Sequence, residues 1–240
     1  MRYLLCIFAI TVTLSAQSPC TVAEDRTTIR VPHAAGHPAL TLDLHQAAWK
    51  HAALASITKD CSRQIDYSKL KTDIRAFWTD SDLYLLFRCP FTDLNLLLPA
   101  APDQDRVGLW DRDVVEMFLG DDWSNIGLYR EFEIAPTGDS IDLAIDLNSK
   151  SYDHNWNSGW ETKARIDQKA KIWYAAAKIP LSAVSGKRIN TGDKWRVNLY
   201  RIDGLGADPV RRFMCWQPTC VLNRDPNHVP EHFGTLIFEK

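Results

Sequence analysis

"LWDRDVVEMFLGDDW" runs from Leu109 to Trp123, and its alternation decides the fold. From Asp113 to Leu119 the side chains follow the period of two that a strand imposes. Asp113, Val115, Met117 and Leu119 fall on one face, and Val114, Glu116 and Phe118 on the other. Gly120, Asp121 and Asp122 then supply turn chemistry. The stretch predicts a strand, but a carboxylate between Val114 and Phe118 does not belong to an ordinary core face. Two explanations compete. Glu116 pairs with an arginine of a neighbouring strand, such as Arg130 or Arg196, and orders the sheet. Or its face meets a ligand, with Trp110 nearby as a platform.

The same period recurs along the chain. Residues 72–89 form a predicted hairpin turning at Thr79-Asp80-Ser81-Asp82, and 128–146 a second one turning at Pro136-Thr137-Gly138-Asp139. "IWYAAAKIPLSAV" predicts a strand leading into a short helix near Pro180, while "KWRVNLYRID" and "HFGTLIFEK" predict two more strands. "LDLHQAAWKHAALA" (42–55) is expected to be a short helix anchored by Trp49. Short strands separated by turns point to an all-β protein: an antiparallel β-sandwich, jelly-roll-like, with one or two short helices. Several strands carry a polar face: Tyr129, Glu131 and Glu133; Asp142 and Asp146; Arg196, Asn198 and Tyr200. Such a face is either a solvated outer sheet or a groove whose carboxylates accept hydrogen bonds from ligand hydroxyls.

The 240 residues suit one β-rich domain, and 45% hydrophobic content is enough to fold it. A net charge of −2 and the lack of a basic stripe argue against nucleic acid as partner. Residues 1–16 have the form of a signal peptide: Arg2, an apolar stretch from Leu4 to Leu14, then Ser15-Ala16 as cleavage site. This stretch is too short for a membrane span. Export to the periplasm or the medium is therefore expected, with a loose mature N-terminus over 17–29 and the domain over 30–240. Cys20, Cys61, Cys89, Cys215 and Cys220 remain after cleavage, an odd number in an oxidising compartment. Cys215 and Cys220 could close a short loop around "WQPT", but the pairing is open.

A site for sugars needs aromatic platforms for the C–H face and polar groups for the hydroxyls. Trp110 with Glu116 meets that need, as does Trp216 with Gln217 in "RRFMCWQPTC". Trp156 and Trp160 in "YDHNWNSGW" are further platform candidates, whereas Trp173 and Trp195 alternate with apolar residues and are expected in the core. A glycosidase would require two carboxylates across a cleft, and Glu116 with Glu133 or Asp142 is the available pair. There is no Gly-x-Ser-x-Gly elbow or phosphate loop. In "HVPEH", Pro230 argues against a helical His228/His232 metal pair, so the stretch is taken as a structural loop. The acid-rich loops "PDQDR", "GDDWSN" and "DLNSKSYDHN" suit calcium or solvated turns.

The order of these segments resembles the carbohydrate-binding module family 9-like domains over about residues 30–240. The motifs are D-x-V-E-x-F-L, Y-x-E-F-E-I-x-P, W-R-V-N-x-Y-R and the closing H-x-P-E-x-F-G. The resemblance implies a β-sandwich that binds mono-, oligo- or polysaccharide without chemistry. It implies that two tryptophans clamp the sugar while a glutamate holds ring hydroxyls. Trp110 and Glu116 match the first tryptophan and the glutamate, and Trp216 matches the second by its place before the last strand. Arg130 lies in the strand of the family's ligand-holding arginine. The resemblance also implies structural Ca2+, with ligands unassigned. The rival readings are a glycosidase and a structural or cofactor-binding sandwich whose polar face serves a protein or haem; no Met/His pair at facing strand positions favours the latter.

Overall fold

The computed structural model describes residues 20, 28–62, 65–102, 104–206, 210–222 and 224–240; the expected signal peptide lies outside them. Two sheets face each other, as the alternation predicts. The nine-stranded sheet takes β1 (Thr28–Val31), β3 (Lys59–Asp60), β6 (Val114–Gly120), β7 (Leu128–Ile134), β8 (Ser140–Asp146), β9 (Ser151–Asp153), β12 (Lys194–Asp203), β13 (Arg212–Cys215) and β14 (Gly234–Phe238). The five-stranded sheet takes β2 (Ala53–Ile57), β4 (Thr72–Trp78), β5 (Asp82–Pro90), β10 (Glu161–Asp167) and β11 (Ile172–Pro180). Its order is β10-β11-β5-β4-β2, and the larger sheet runs β1-β14-β12-β6-β7-β8-β9. Pairing is antiparallel except between β1 and β14. β12 is long enough to be shared: Lys194–Val197 pairs with β14, and Tyr200–Asp203 pairs with β13, which in turn carries β3. The molecule is a β-sandwich with two helices of one turn each, α1 (Ala47–Lys50) and α2 (Leu181–Val184).

The inner faces supply the main core. Val115, Met117 and Leu119 of β6, Phe132 and Ile134 of β7, and Trp195, Val197 and Leu199 of β12 meet Ile74, Leu85, Phe87 and Trp173 of the other sheet. Burial of this apolar area is the principal stabilising contribution. Arg201 ties the layers by donating to the carbonyls of Leu70 (3.2 Å) and Pro90 (2.6 Å), with Asp203 at 2.9 Å as counter-ion.

Three local expectations need correcting. Only Ala47–Lys50 of the run 42–55 is helical. Ala53–Ile57 instead satisfies the backbone groups along β4, and an alanine-rich run yields to that demand for pairing. Trp49 is buried as expected, but on the outer face of the five-stranded sheet against Phe77. β1 begins at Thr28, within the stretch expected to be loose. The short Cys215–Cys220 loop is not closed by a disulfide. Cys220 bonds Cys20 across a separation of 200 residues, and Cys61, Cys89 and Cys215 are buried thiols.

The outer face of the nine-stranded sheet is not solvated. Val114, Phe118, Tyr129, Ile141, Leu143, Ile145 and Tyr200 form a second apolar cluster there. The chain after β13 covers it: Phe233 packs on Phe118 and Tyr129, and His228 on Phe118. Glu116, Glu131, Glu133, Arg196 and Asn198 are all buried beneath this cover.

Candidate functional site

The opening strand supplies the floor of a cavity of about 880 Å3 on this outer face. Alternation along β6 turns Glu116 outward between Val114 and Phe118, and the register of β6 with β7 sets Glu133 directly opposite it. Glu131, two residues along β7, shares that face. Three carboxyl groups thus come together on two adjacent strands. Glu116 and Glu131 line the cavity, and Glu133, fully buried, lies behind them. A one-turn helix of the 3₁₀ type, Leu109–Asp111, sets Trp110 in the wall. Its ring lies 5.8 Å from that of His154. A strap after β13 bounds the cavity with Asp225, Asn227 and His228, and Tyr152 of β9 stands beside it, its ring 5.3 Å from His228.

Neither arginine named as a partner for Glu116 reaches it. Arg196 spends its guanidinium on the carbonyls of Asp122 (3.0 Å), Ile126 (3.0 Å) and Leu128 (2.8 Å). Glu116 Oε2 instead accepts a 2.8 Å bond from Asn227 Nδ2. Burial pushes the Glu116 carboxyl well above the usual range, and the charges of Glu131 and Asp225 add to this. Burial does the same to Glu133, reinforced by Glu116 and Glu131. Glu131 is raised by burial as well, opposed by His228, whose Nε2 is 3.8 Å away.

The remaining predicted residues do not join them. Arg130 alternates with Phe132 and therefore faces inward, stacked 4.8 Å over Trp156. Trp216 is 7% exposed and belongs to the core between the sheets. Gln217 is buried against Asn198, exchanging bonds of 3.0 and 2.9 Å through its backbone. Trp156 and Trp160 pack on Phe132 at the edge of the core, away from the cavity. Asp142, the alternative hydrolytic partner, lies on the opposite face from Glu116 and accepts from the Ser158 amide at 2.6 Å. Asn227, Asp225, Tyr152 and His154 were not singled out by the sequence reading; a polar "NRDPNH" run just before the closing motif was the available signal.

Three acids of the loops considered for calcium accept hydrogen bonds from their own loops. Asp122 accepts from Ser124 and Asn125, Asp146 from Asn148 and Ser149, and Asp153 from Asn155. Among the described residues, no group of three or more His, Cys, Asp or Glu converges as candidate metal ligands. Chemically, the cavity offers an aromatic wall above a floor rich in acceptors. Glu116 and Glu131 rise from the same floor, and Asp225 enters from the strap.

Three solved structures share this architecture. A candidate carbohydrate-binding protein from Bacteroides uniformis aligns over 89% of this chain and 99% of its own, at TM-score 0.69 and 16% identity. A carbohydrate-binding module of family 9 from Caldicellulosiruptor kristjanssonii, solved with cellotriose, aligns over 88% and 93% at TM-score 0.60 and 14% identity. The fold is that of the family 9 modules. A family 9 module from the same organism, solved with glucose, aligns over 88% of this chain and 95% of its own, at TM-score 0.59 and 15% identity. No protein-family model matches the chain, and no curated protein is similar to it in sequence. No helix among the described residues is long and apolar enough to cross a membrane.

Proposed function

We propose that this protein is an exported, non-catalytic sugar-binding module whose ligand occupies the cavity between Trp110 and the Glu116–Glu131 floor. The observation that carries the reading is the joining of Trp110, Glu116 and Asn227 in one cavity on a fold whose solved relatives hold glucose and cellotriose. Trp110 stacks on a sugar face, and Glu116 with Asn227 takes the ring hydroxyls through charge-assisted and neutral hydrogen bonds. The disulfide between Cys20 and Cys220 supports export, because such bonds persist in oxidising compartments. Trp110 works here with Tyr152 and His154 rather than with Trp216, which the core retains.

Calorimetric titration with glucose, cellobiose, xylobiose and soluble xylan tests this, with chromogenic aryl glycosides assayed in parallel. The expected result is binding without turnover that weakens by about tenfold or more in Trp110→Ala. Trp216→Ala should instead lower stability by roughly 3–5 kcal/mol, as loss of a core aromatic does, and leave the affinity of the folded protein unchanged. Hydrolysis that disappears in Glu116→Gln would replace binding with catalysis.

A further inference from the structure

We infer that the cavity selects a cationic sugar, one carrying a free, protonated amino group, over its neutral counterparts; this rests on the sugar-binding reading and specifies its ligand. The argument is an inventory of charge and of hydrogen-bonding capacity. Glu116 and Glu131 form the floor, Glu133 backs them, and Asp225 stands at the rim. Two of the three arginines that line the same cavity are paired with carboxylates elsewhere, and the third, Arg211, is the cation that acts on Glu116. Arg212 Nε donates to Asp203 at 2.6 Å, and Arg224 is paired with Glu231. Arg211 donates to the carbonyls of Trp110 (2.9 Å) and Arg112 (3.1 Å). His228 shares Nδ1 with the Tyr129 hydroxyl at 2.6 Å, and its Nε2 lies 3.8 Å from Glu131 and 3.9 Å from Asp225, beyond hydrogen-bonding distance.

Acceptors are thus left over in the cavity. Glu131 Oε2 and Asn227 Oδ1 belong to side chains that line it and are each 4% exposed, and neither atom has a hydrogen-bond partner. Buried acceptors without donors are costly, and a bound group that brings donors removes the cost. A ring hydroxyl brings one donor and no charge. A protonated amine brings three donors and a positive charge into hydrogen-bonding range of Glu116 and Glu131, and such charge-assisted bonds are the stronger kind. Trp110 in the wall accommodates the same cation through its ring face. The ring of the sugar still requires the aromatic wall, so a simple alkylamine fills only part of the site.

Calorimetric titration of the oxidised full mature chain with glucosamine, glucose and N-acetylglucosamine at about pH 6, where a sugar amine is protonated, decides the matter. The expected result is that glucosamine binds about tenfold or more tightly than either neutral sugar. That advantage should be lost in Glu131→Gln and reduced in Asp225→Asn; the latter residue is half-exposed, so its variant folds regardless of what the floor tolerates. Equal or tighter binding of glucose or N-acetylglucosamine would overturn the inference and leave the sugar site standing. Methylamine binding as tightly as glucosamine would overturn the sugar part of the assignment. No binding of any of these sugars, or of the neutral oligosaccharides, would remove the sugar-binding reading itself.

Discussion

Burial and neighbouring carboxyl groups act together on Glu133. It is fully buried, opposite Glu116 and beside Glu131, and neither of its carboxyl oxygens has a hydrogen-bond partner. Its ionisation, like that of Glu116, is pushed upward by burial and by like charge. A group whose titration is raised in the folded state contributes stability that is complete below its unfolded range and is lost as pH rises through the folded range. Asp113, pushed up to about 6 chiefly by burial, acts with the same sign between the ordinary aspartate range and about pH 6. Asp122 and Asp146, lowered by hydrogen bonds from serines, act oppositely, and their effect is confined to acid below the ordinary range. The ligand-free protein should therefore be most stable in mild acid and lose melting temperature toward neutral and alkaline pH. Glu133→Gln, isosteric and uncharged, should flatten that decline and raise the melting temperature at about pH 8. An unchanged slope in calorimetric melts of the two proteins would contradict this assignment of charge.

At the scale of elements, the site depends on a strap that no local pattern announces. Beyond the inward-facing Trp216, the chain after β13 passes over the outer face. Backbone bonds from Thr219 and Cys220 to the Cys61 carbonyl, each 2.9 Å, hold the strap, as does the disulfide from Cys220 to Cys20. The segment then delivers Asp225, Asn227 and His228 to the cavity. Cross-linking positions 200 residues apart restricts the unfolded chain strongly, by about 2–4 kcal/mol in typical cases. Cys20→Ser should lower stability by an amount of that order in denaturant titrations and weaken ligand binding at temperatures where the protein is still folded. Full retention of affinity would mean that the hydrogen bonds to Cys61 position the strap unaided.

For the whole molecule, the sandwich was legible wherever one face of a strand is buried and the other carries polar residues, as in β6, β7 and β12. The short strands β1, β3 and β13 and the exposed edge strand β9 lack enough alternating apolar positions to register. Two residues assigned to the site by their place in the resembling segments carried the contrary signal in their own alternation. Arg130 is in phase with Phe132 and Ile134, and Trp216 is in phase with Met214; both face the interior of the sandwich. Glu116 was legible because a lone acid interrupts an apolar face. Its partner Asn227 was not, because a contact across 111 residues is set by tertiary packing and not by spacing.

The central claim is the location of the ligand, and the most direct measurement is NMR mapping during titration with whichever sugar gives calorimetric heat. The indole N–H of Trp110 and the side-chain amide of Asn227 should move with saturating behaviour, while the indoles of Trp156, Trp160 and Trp216 stay in place. Shifts concentrated on Trp156 and Trp160 with Trp110 unmoved would place the ligand at the sandwich edge and contradict the account.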